Sequence, residues 1–261
     1  DMDYPMGLNM FESHGATDQK DFLIQEAINM LYKLYDPQHQ GIIGPRYEHI
    51  FRNCALLLMA DPNGSTFVDI PKLFRDPAYV QSKLKHVTDQ HVIEFWTKEM
   101  PSFQKSSEFG DVVSWFVSKF GAFLSNEMMR NIIGQTKSAF NLREVMDEGK
   151  ILLVNLSKGK IGDLNASLIG MIIVGRLLMA ALSRTDLAEN ERKDFYLYID
   201  EFQNFTTDSI SVILSEARKY KLSLNITHQY LDQLEDNIKA AVFGNVGSMA
   251  FFRIKPEDAA N

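Results

Sequence analysis

The chain has 261 residues, 45% of them hydrophobic, and carries 27 Lys and Arg against 34 Asp and Glu for a net charge of −7. That is enough apolar material for one large domain or two modest ones, which excludes a disordered segment. The acidic balance excludes a global positive field, so any contact with nucleic acid or acidic lipid must be local.

From Asp18 to about Arg130 the apolar residues recur at helical spacing, as in Phe22, Ile24, Ala27, Ile28, Leu31 and Leu34. The pattern predicts an all-helical block of about six helices. Its breaks are expected at Asp36-Pro37, Gly41-Ile-Ile-Gly-Pro45, Asp61-Pro-Asn-Gly64 and near Met100-Pro101, all turn chemistry. The single cysteine, Cys54, lies in the apolar run Asn53-Cys-Ala-Leu-Leu-Leu-Met59; it reads as a buried, inert thiol and leaves no disulfide framework or cysteine zinc site. Phe95, Trp96, Trp115 and Phe116 sit at helical spacing and read as core rather than base-stacking platforms.

After Glu148-Gly149 the pattern changes to short, continuously apolar runs: Ile151-Leu-Leu-Val-Asn-Leu156, Phe195 to Ile199, Leu222-Ser-Leu-Asn-Ile-Thr227 and Met249-Ala-Phe-Phe-Arg-Ile254. Runs of this kind are expected as parallel strands buried on both faces. Helices predicted between them, about Asn165 to Ser183, Thr207 to Tyr220 and Asp232 to Val242, complete strand-helix-strand units. The most apolar helix, Leu168 to Leu182, has Arg176 in its middle and falls short of the ~20 residues a bilayer needs, so it reads as a core helix.

Asp200 and Glu201 close the strand Phe195-Tyr-Leu-Tyr-Ile199, which sends two carboxylates out at the carboxyl edge, where parallel sheets bind ligands. In a P-loop ATPase the first acid orients water on Mg²⁺ and the second polarises the attacking water; the alternative is a strand that ends in two solvated acids. A right-handed crossover brings the end of the next strand, with His228 and Gln229, beside the first. An amide there is able to hold a γ-phosphate or the lytic water, or simply to cap a loop. Arg218, in Ser215-Glu-Ala-Arg-Lys-Tyr220, ends a helix that runs back roughly 18 Å from Asp200. It suits a neighbour's nucleotide in a ring, although a helix dipole alone also favours arginine there. The loop Asn155-Leu-Ser-Lys-Gly-Lys-Ile-Gly162 offers Lys158 and Lys160 to phosphates or to solvent, and G-x-x-x-x-G-K-[ST] spacing occurs nowhere in the chain.

Taken together, these phrases resemble the FtsK/HerA superfamily of ring-forming DNA motors, and within it the TraG/TraD-like coupling ATPases of conjugation and type IV secretion. The likeness runs in order through Asp1-Met-Asp-Tyr-Pro-Met-Gly-Leu-Asn9, Arg130-Asn-Ile-Ile-Gly-Gln135, Ile151 to Gly162, Tyr198-Ile-Asp-Glu-Phe-Gln-Asn204, Ser215 to Tyr220, Thr227-His-Gln229 and Phe243-Gly-Asn-Val-Gly247. It implies an α/β fold, a partial RecA-like parallel-sheet core with a large all-helical insertion. Residues 1–14 and 141–261 would belong to the motor core and residues 15–140 to the insertion.

The resemblance further implies ATP and Mg²⁺ as cofactors, with Asp200 and Gln229 at the nucleotide and Asp200 on Mg²⁺ through water. Glu201 would activate water, and Arg218 would reach the neighbouring subunit's nucleotide. Lys158 and Lys160 become candidates for DNA contact. The implied partners are DNA in the pore of a homo-oligomeric, hexameric ring and secretion or relaxosome proteins; the implied location is the cytoplasm, with inner-membrane attachment through absent N-terminal segments. The P-loop lysine, the first core strand and the membrane-spanning start of typical coupling proteins are missing, so the chain resembles an excised piece whose isolated form is expected to be inactive. A non-catalytic module that docks DNA or substrate, and a HerA-like repair or packaging translocase, are the alternatives.

Overall fold

The helical periodicity after Asp18 resolves into α1 (Thr17–Tyr35), α2 (Pro45–Met59), a 3₁₀ helix (Phe67–Phe74), α3 (Pro77–Leu84), α4 (Gln90–Glu94), a π-helical turn (Phe95–Glu99), α5 (Met100–Gln104), α6 (Phe109–Ser125) and α7 (Glu127–Ile133). The structure, a computed structural model, describes residues 4–13, 17–207 and 209–252. These elements lie in the first of two units, residues 1–139, and the second unit spans residues 140–261.

Aromatic packing holds the first unit together. The buried rings of Tyr47, Phe51, Phe67, Phe116, Phe120 and Phe123 form its centre, with Phe67 and Phe120 centroids 4.8 Å apart and Tyr47 and Phe116 4.6 Å apart. Ile24, Ala27, Ile28 and Leu31 bury one face of α1, as their spacing predicts. Cys54 is fully buried, which pushes its thiol pKa well up. Phe95 and Trp96 are buried, and Trp115 stands edge-on to Tyr47 at 5.4 Å, so the four aromatics are packing residues.

Local signals set the helix ends. Pro45 opens α2, Asp76 caps α3 by accepting from the Tyr79 N–H at 3.0 Å, and Asn126 caps α7 through the Met129 N–H at 3.1 Å. The break expected near Met100-Pro101 is absent. A π-helical turn directly precedes α5, whose first turn holds Pro101 where its missing N–H needs no partner. At the amino end of the chain, Leu8, Met10 and Phe11 are buried within this unit. There the Leu8 N–H donates to Ile132 at 2.9 Å, and the Ala139 N–H donates to Gly7 at 2.8 Å.

The second unit contains α8 (Leu142–Glu148), α9 (Lys158–Ile161), α10 (Asp163–Leu182), β1 (Phe195–Ile199), α11 (Ser209–Glu216), β2 (Leu222–Ile226) and α12 (Asp236–Asn245). β1 and β2 pair in parallel, with Phe195 opposite Leu222 and Ile199 opposite Ile226. Among the described residues these are the two strands of one sheet, where four were expected. Residues 151–156 are irregular, with Ile151 and Leu153 both 90% exposed, and Met249 to Phe252 form no strand; Arg253 and Ile254 lie outside the described residues. A strand exists only where a neighbour satisfies its backbone, and these runs have none among the described residues. Nor is β1 buried on both faces: Tyr196 and Tyr198 are 59% and 73% exposed, while Leu197 and Ile199 face inward. The architecture is mostly helical with a small parallel sheet, and a RecA-like core is present only in part.

α10 is buried along most of its length, Arg176 included, as a core helix should be. Together with the turn to Asp186 it is long and apolar enough to cross a membrane, but 83% of its most apolar window is buried inside the fold. Gly170 is required there. A Cβ at that position would lie 2.2 Å from Cδ1 of Phe205, whose ring rests on the helix backbone just after the loop that follows β1. Arg184, fully buried, ties the strand starts together by donating to the carbonyls of Lys193 at 2.7 Å and Tyr220 at 2.9 Å, with the Asp147 carboxylate 3.0 Å from its Nε.

Candidate active site

Because β1 and β2 run in parallel and in register, both end at the same edge. The ladder continues past Ile226, where the Thr227 N–H donates to Ile199 at 3.0 Å and the Phe202 N–H donates to Thr227 at 3.0 Å. Between these bonds the chain after β1 turns sharply. Glu201 takes a left-handed conformation, φ 52° and ψ 47°, which costs a non-glycine residue ~1 kcal/mol or more and concentrates at functional sites. Its carbonyl accepts from the Asn204 backbone N–H at 3.0 Å and side-chain Nδ2 at 2.9 Å, so the turn is fastened on its inner side.

Two carboxylates stand at this edge. The Thr227 hydroxyl donates to Asp200 Oδ1, which also accepts the Glu201 N–H at 3.1 Å. Asp200 Oδ2 accepts no hydrogen bond among the described residues, and the side chain is exposed. Glu201 is held on both oxygens: Gln229 Nε2 donates to Oε1 at 2.7 Å and Gln203 Nε2 donates to Oε2 at 2.7 Å. An exposed aspartate beside a bracketed glutamate at a parallel sheet's carboxyl edge has the ingredients for cation binding and water activation.

Of the residues singled out from sequence, Asp200, Glu201 and Gln229 come together. Arg218 does not join them. It lies in the 3₁₀ turn Ala217–Tyr220 before β2, at the opposite edge, separated by about the 15 Å length of a five-residue strand. It is exposed there, and its guanidinium has no hydrogen-bond partner among the described residues. Lys158 donates to Asn204 Oδ1 at 3.0 Å, on the turn that carries Glu201, and its Nζ lies 4.0 Å from Asp163. Lys160 is exposed on α9.

Thr227, Gln203 and Asn204 escaped sequence reasoning. Thr227 was legible as the last residue of a β-run, but its hydroxyl's target depends on strand register. Gln203 and Asn204 follow the acids at once, yet only the left-handed turn at Glu201 folds them back onto it. No group of three or more His, Cys, Asp or Glu side chains able to hold a metal occurs among the described residues.

The sequence matches no protein-family profile and, at a significant level, no curated protein. Its structure is similar to that of the bacterial conjugative coupling protein TrwBdeltaN70 in an unbound form, with a TM-score of 0.50 over 90% of this chain at 16% identity. The chain spans about half of that protein, 52% of its length. At this identity the likeness is one of fold, and the fold shared is that of a conjugative coupling protein.

Proposed function

We propose that this chain is the acid-bearing part of an ATP-driven DNA-translocating motor of the conjugative coupling type. The observation that carries the proposal is the carboxyl edge of the β1–β2 pair, where Asp200, Glu201 and Gln229 converge with Glu201 bonded to Gln229 at 2.7 Å. The fold likeness to a conjugative coupling protein supports it. Asp200 would hold Mg²⁺ through water, and its donor set fits: the open Oδ2 is a hard oxygen ligand, and the Thr227 bond fixes its partner oxygen. Mg²⁺ would neutralise charge on the transferring phosphoryl group. Glu201 would take a proton from the attacking water, Gln229 would sense the γ-phosphate, and Arg218 would serve the next subunit of a hexameric ring.

The phosphate cradle is assigned to another part of the parent protein, since no G-x-x-x-x-G-K-[ST] spacing occurs in these residues. Residues 15–140 are assigned to an insertion that engages DNA, relaxosome or secretion partners, with DNA also passing Lys158 and Lys160. The motor would work in the cytoplasm, attached to the inner membrane through segments outside these residues. In the full-length protein, Glu201→Gln should lower DNA-stimulated ATP turnover by roughly 10²–10⁴-fold, the usual value of a general base. Undiminished turnover would remove the catalytic assignment and favour a docking module.

A further inference from the structure

Glu201 needs only one free oxygen to accept a proton, yet two amides grip it. Gln229 approaches from the loop after β2 and Gln203 from the same turn as Glu201 itself. They are not equivalent. Gln203 is partly buried, and its amide oxygen Oε1 is enclosed with no hydrogen-bond partner among the described residues. Leaving a buried acceptor unsatisfied costs ~1–3 kcal/mol, so turning the amide this way is worthwhile only because Nε2 then meets the charged Oε2. The reversed amide would set oxygen against carboxylate. The rest of the turn is equally fastened, by Asn204 to the Glu201 carbonyl and by Lys158 to Asn204.

From this geometry we infer that Gln203 is the positioning residue of Glu201, resting on the hydrolytic function proposed above. Gln203 keeps Oε2 fixed throughout the cycle because it belongs to the same turn. Gln229 is the exchangeable partner: when its amide turns to phosphate, Oε1 is uncovered and becomes the oxygen that acts as base. The water's proton then passes to Oε1 while its oxygen bonds to the γ-phosphorus. The bond from that phosphorus to the β–γ bridging oxygen breaks, and ADP leaves with the electron pair.

The test uses the full-length protein with saturating ATP. Gln203→Met, which keeps the length and loses the donor, should lower kcat about 10-fold, the equivalent of one ~1.4 kcal/mol hydrogen bond, and leave KM for ATP within about 2-fold. Gln203→Lys, which again donates, should recover to within about 3-fold of wild type, and Gln203→Glu, close in shape but without a donor, should fall at least as far as the Met variant. In a Glu201→Gln background the Gln203→Met change should cost less than about 2-fold more, because the carboxylate it positions is gone. An unchanged kcat in Gln203→Met, or equal losses in both backgrounds, overturns the inference. Wild-type protein without ATPase activity overturns the function as well, whereas active wild type, a strongly slowed Glu201→Gln and an unaffected Gln203→Met overturn the positioning role alone.

Discussion

Gln229 donates its amide to Glu201 at 2.7 Å although 28 residues separate them in the chain. The intervening α11 and 3₁₀ turn carry the chain back to the sheet's other edge, so that β2 ends where β1 ends. That crossover builds the site and also strands Arg218 at the far edge.

The Thr227 hydroxyl is predicted to hold Asp200 for cation binding. Thr227→Val keeps the shape and loses the donor, so turnover by the full-length protein should fall about 10-fold or more, matching the lower end of the ~1.5–3 kcal/mol of a hydrogen bond to a charged group. Because Thr227 is exposed, stability should stay within about 0.5 kcal/mol. A steady-state assay alongside a urea titration checks both, and unchanged turnover would count against the role.

Arg218 is predicted to act on a neighbouring subunit. Full-length Arg218→Ala and Asp200→Ala proteins should each be inactive, while mixed rings should regain measurable ATP turnover because some interfaces then pair an intact acid site with an intact arginine. No recovery on mixing, with ring formation verified by sedimentation, would exclude the in-trans role.

Arg184 is predicted to be a stability residue. Removing it leaves the Lys193 and Tyr220 carbonyls at the strand starts without their donor and takes away the Asp147 partner. Arg184→Met should cost about 3–5 kcal/mol, the usual consequence of breaking a buried charged group's contacts. Chemical denaturation followed by circular dichroism measures it, and an unshifted midpoint would contradict the prediction.

Within the helical unit, Lys83 pairs with Asp61 while both are about nine-tenths buried, and Lys83 also donates to Ser65 at 2.8 Å. Burial pushes the Asp61 pKa up, but Lys83 and the Asn63 N–H outweigh it and the net shift is downward. Burial pushes the Lys83 pKa down, but Asp61 and Tyr79 outweigh it and the net shift is upward. The Asp61 contribution is therefore present above its unfolded pKa of ~3.9 and lost as pH falls through the lower folded value; that of Lys83 is present below ~10.4 and lost as pH rises through its higher folded value. Asp61→Asn should lower stability by about 3 kcal/mol at neutral pH and flatten the acid limb. Parallel pH profiles for the two proteins would disprove the pairing's contribution.

By itself, the sequence determined what short-range chemistry decides. Apolar spacing marked the helical unit and buried α10, and an apolar run ending in Asp200-Glu201 marked β1 and its acids. Proline, asparagine and aspartate placed several helix ends, because each acts through bonds to residues only a few positions away. The π-helical turn before Pro101 was invisible, since it accommodates the proline without ending the helix. Only the tertiary structure decided which apolar runs became strands: Phe195–Ile199 and Leu222–Ile226 pair, whereas 151–156 has an equally strand-like composition and no backbone partner among the described residues. It also decided that Gln203 and Thr227 join the acids, because a left-handed turn at Glu201 and the register of two strands fix which side chains face one another. Neither a turn's handedness nor a register across 27 residues is written in the spacing of the residues it brings together.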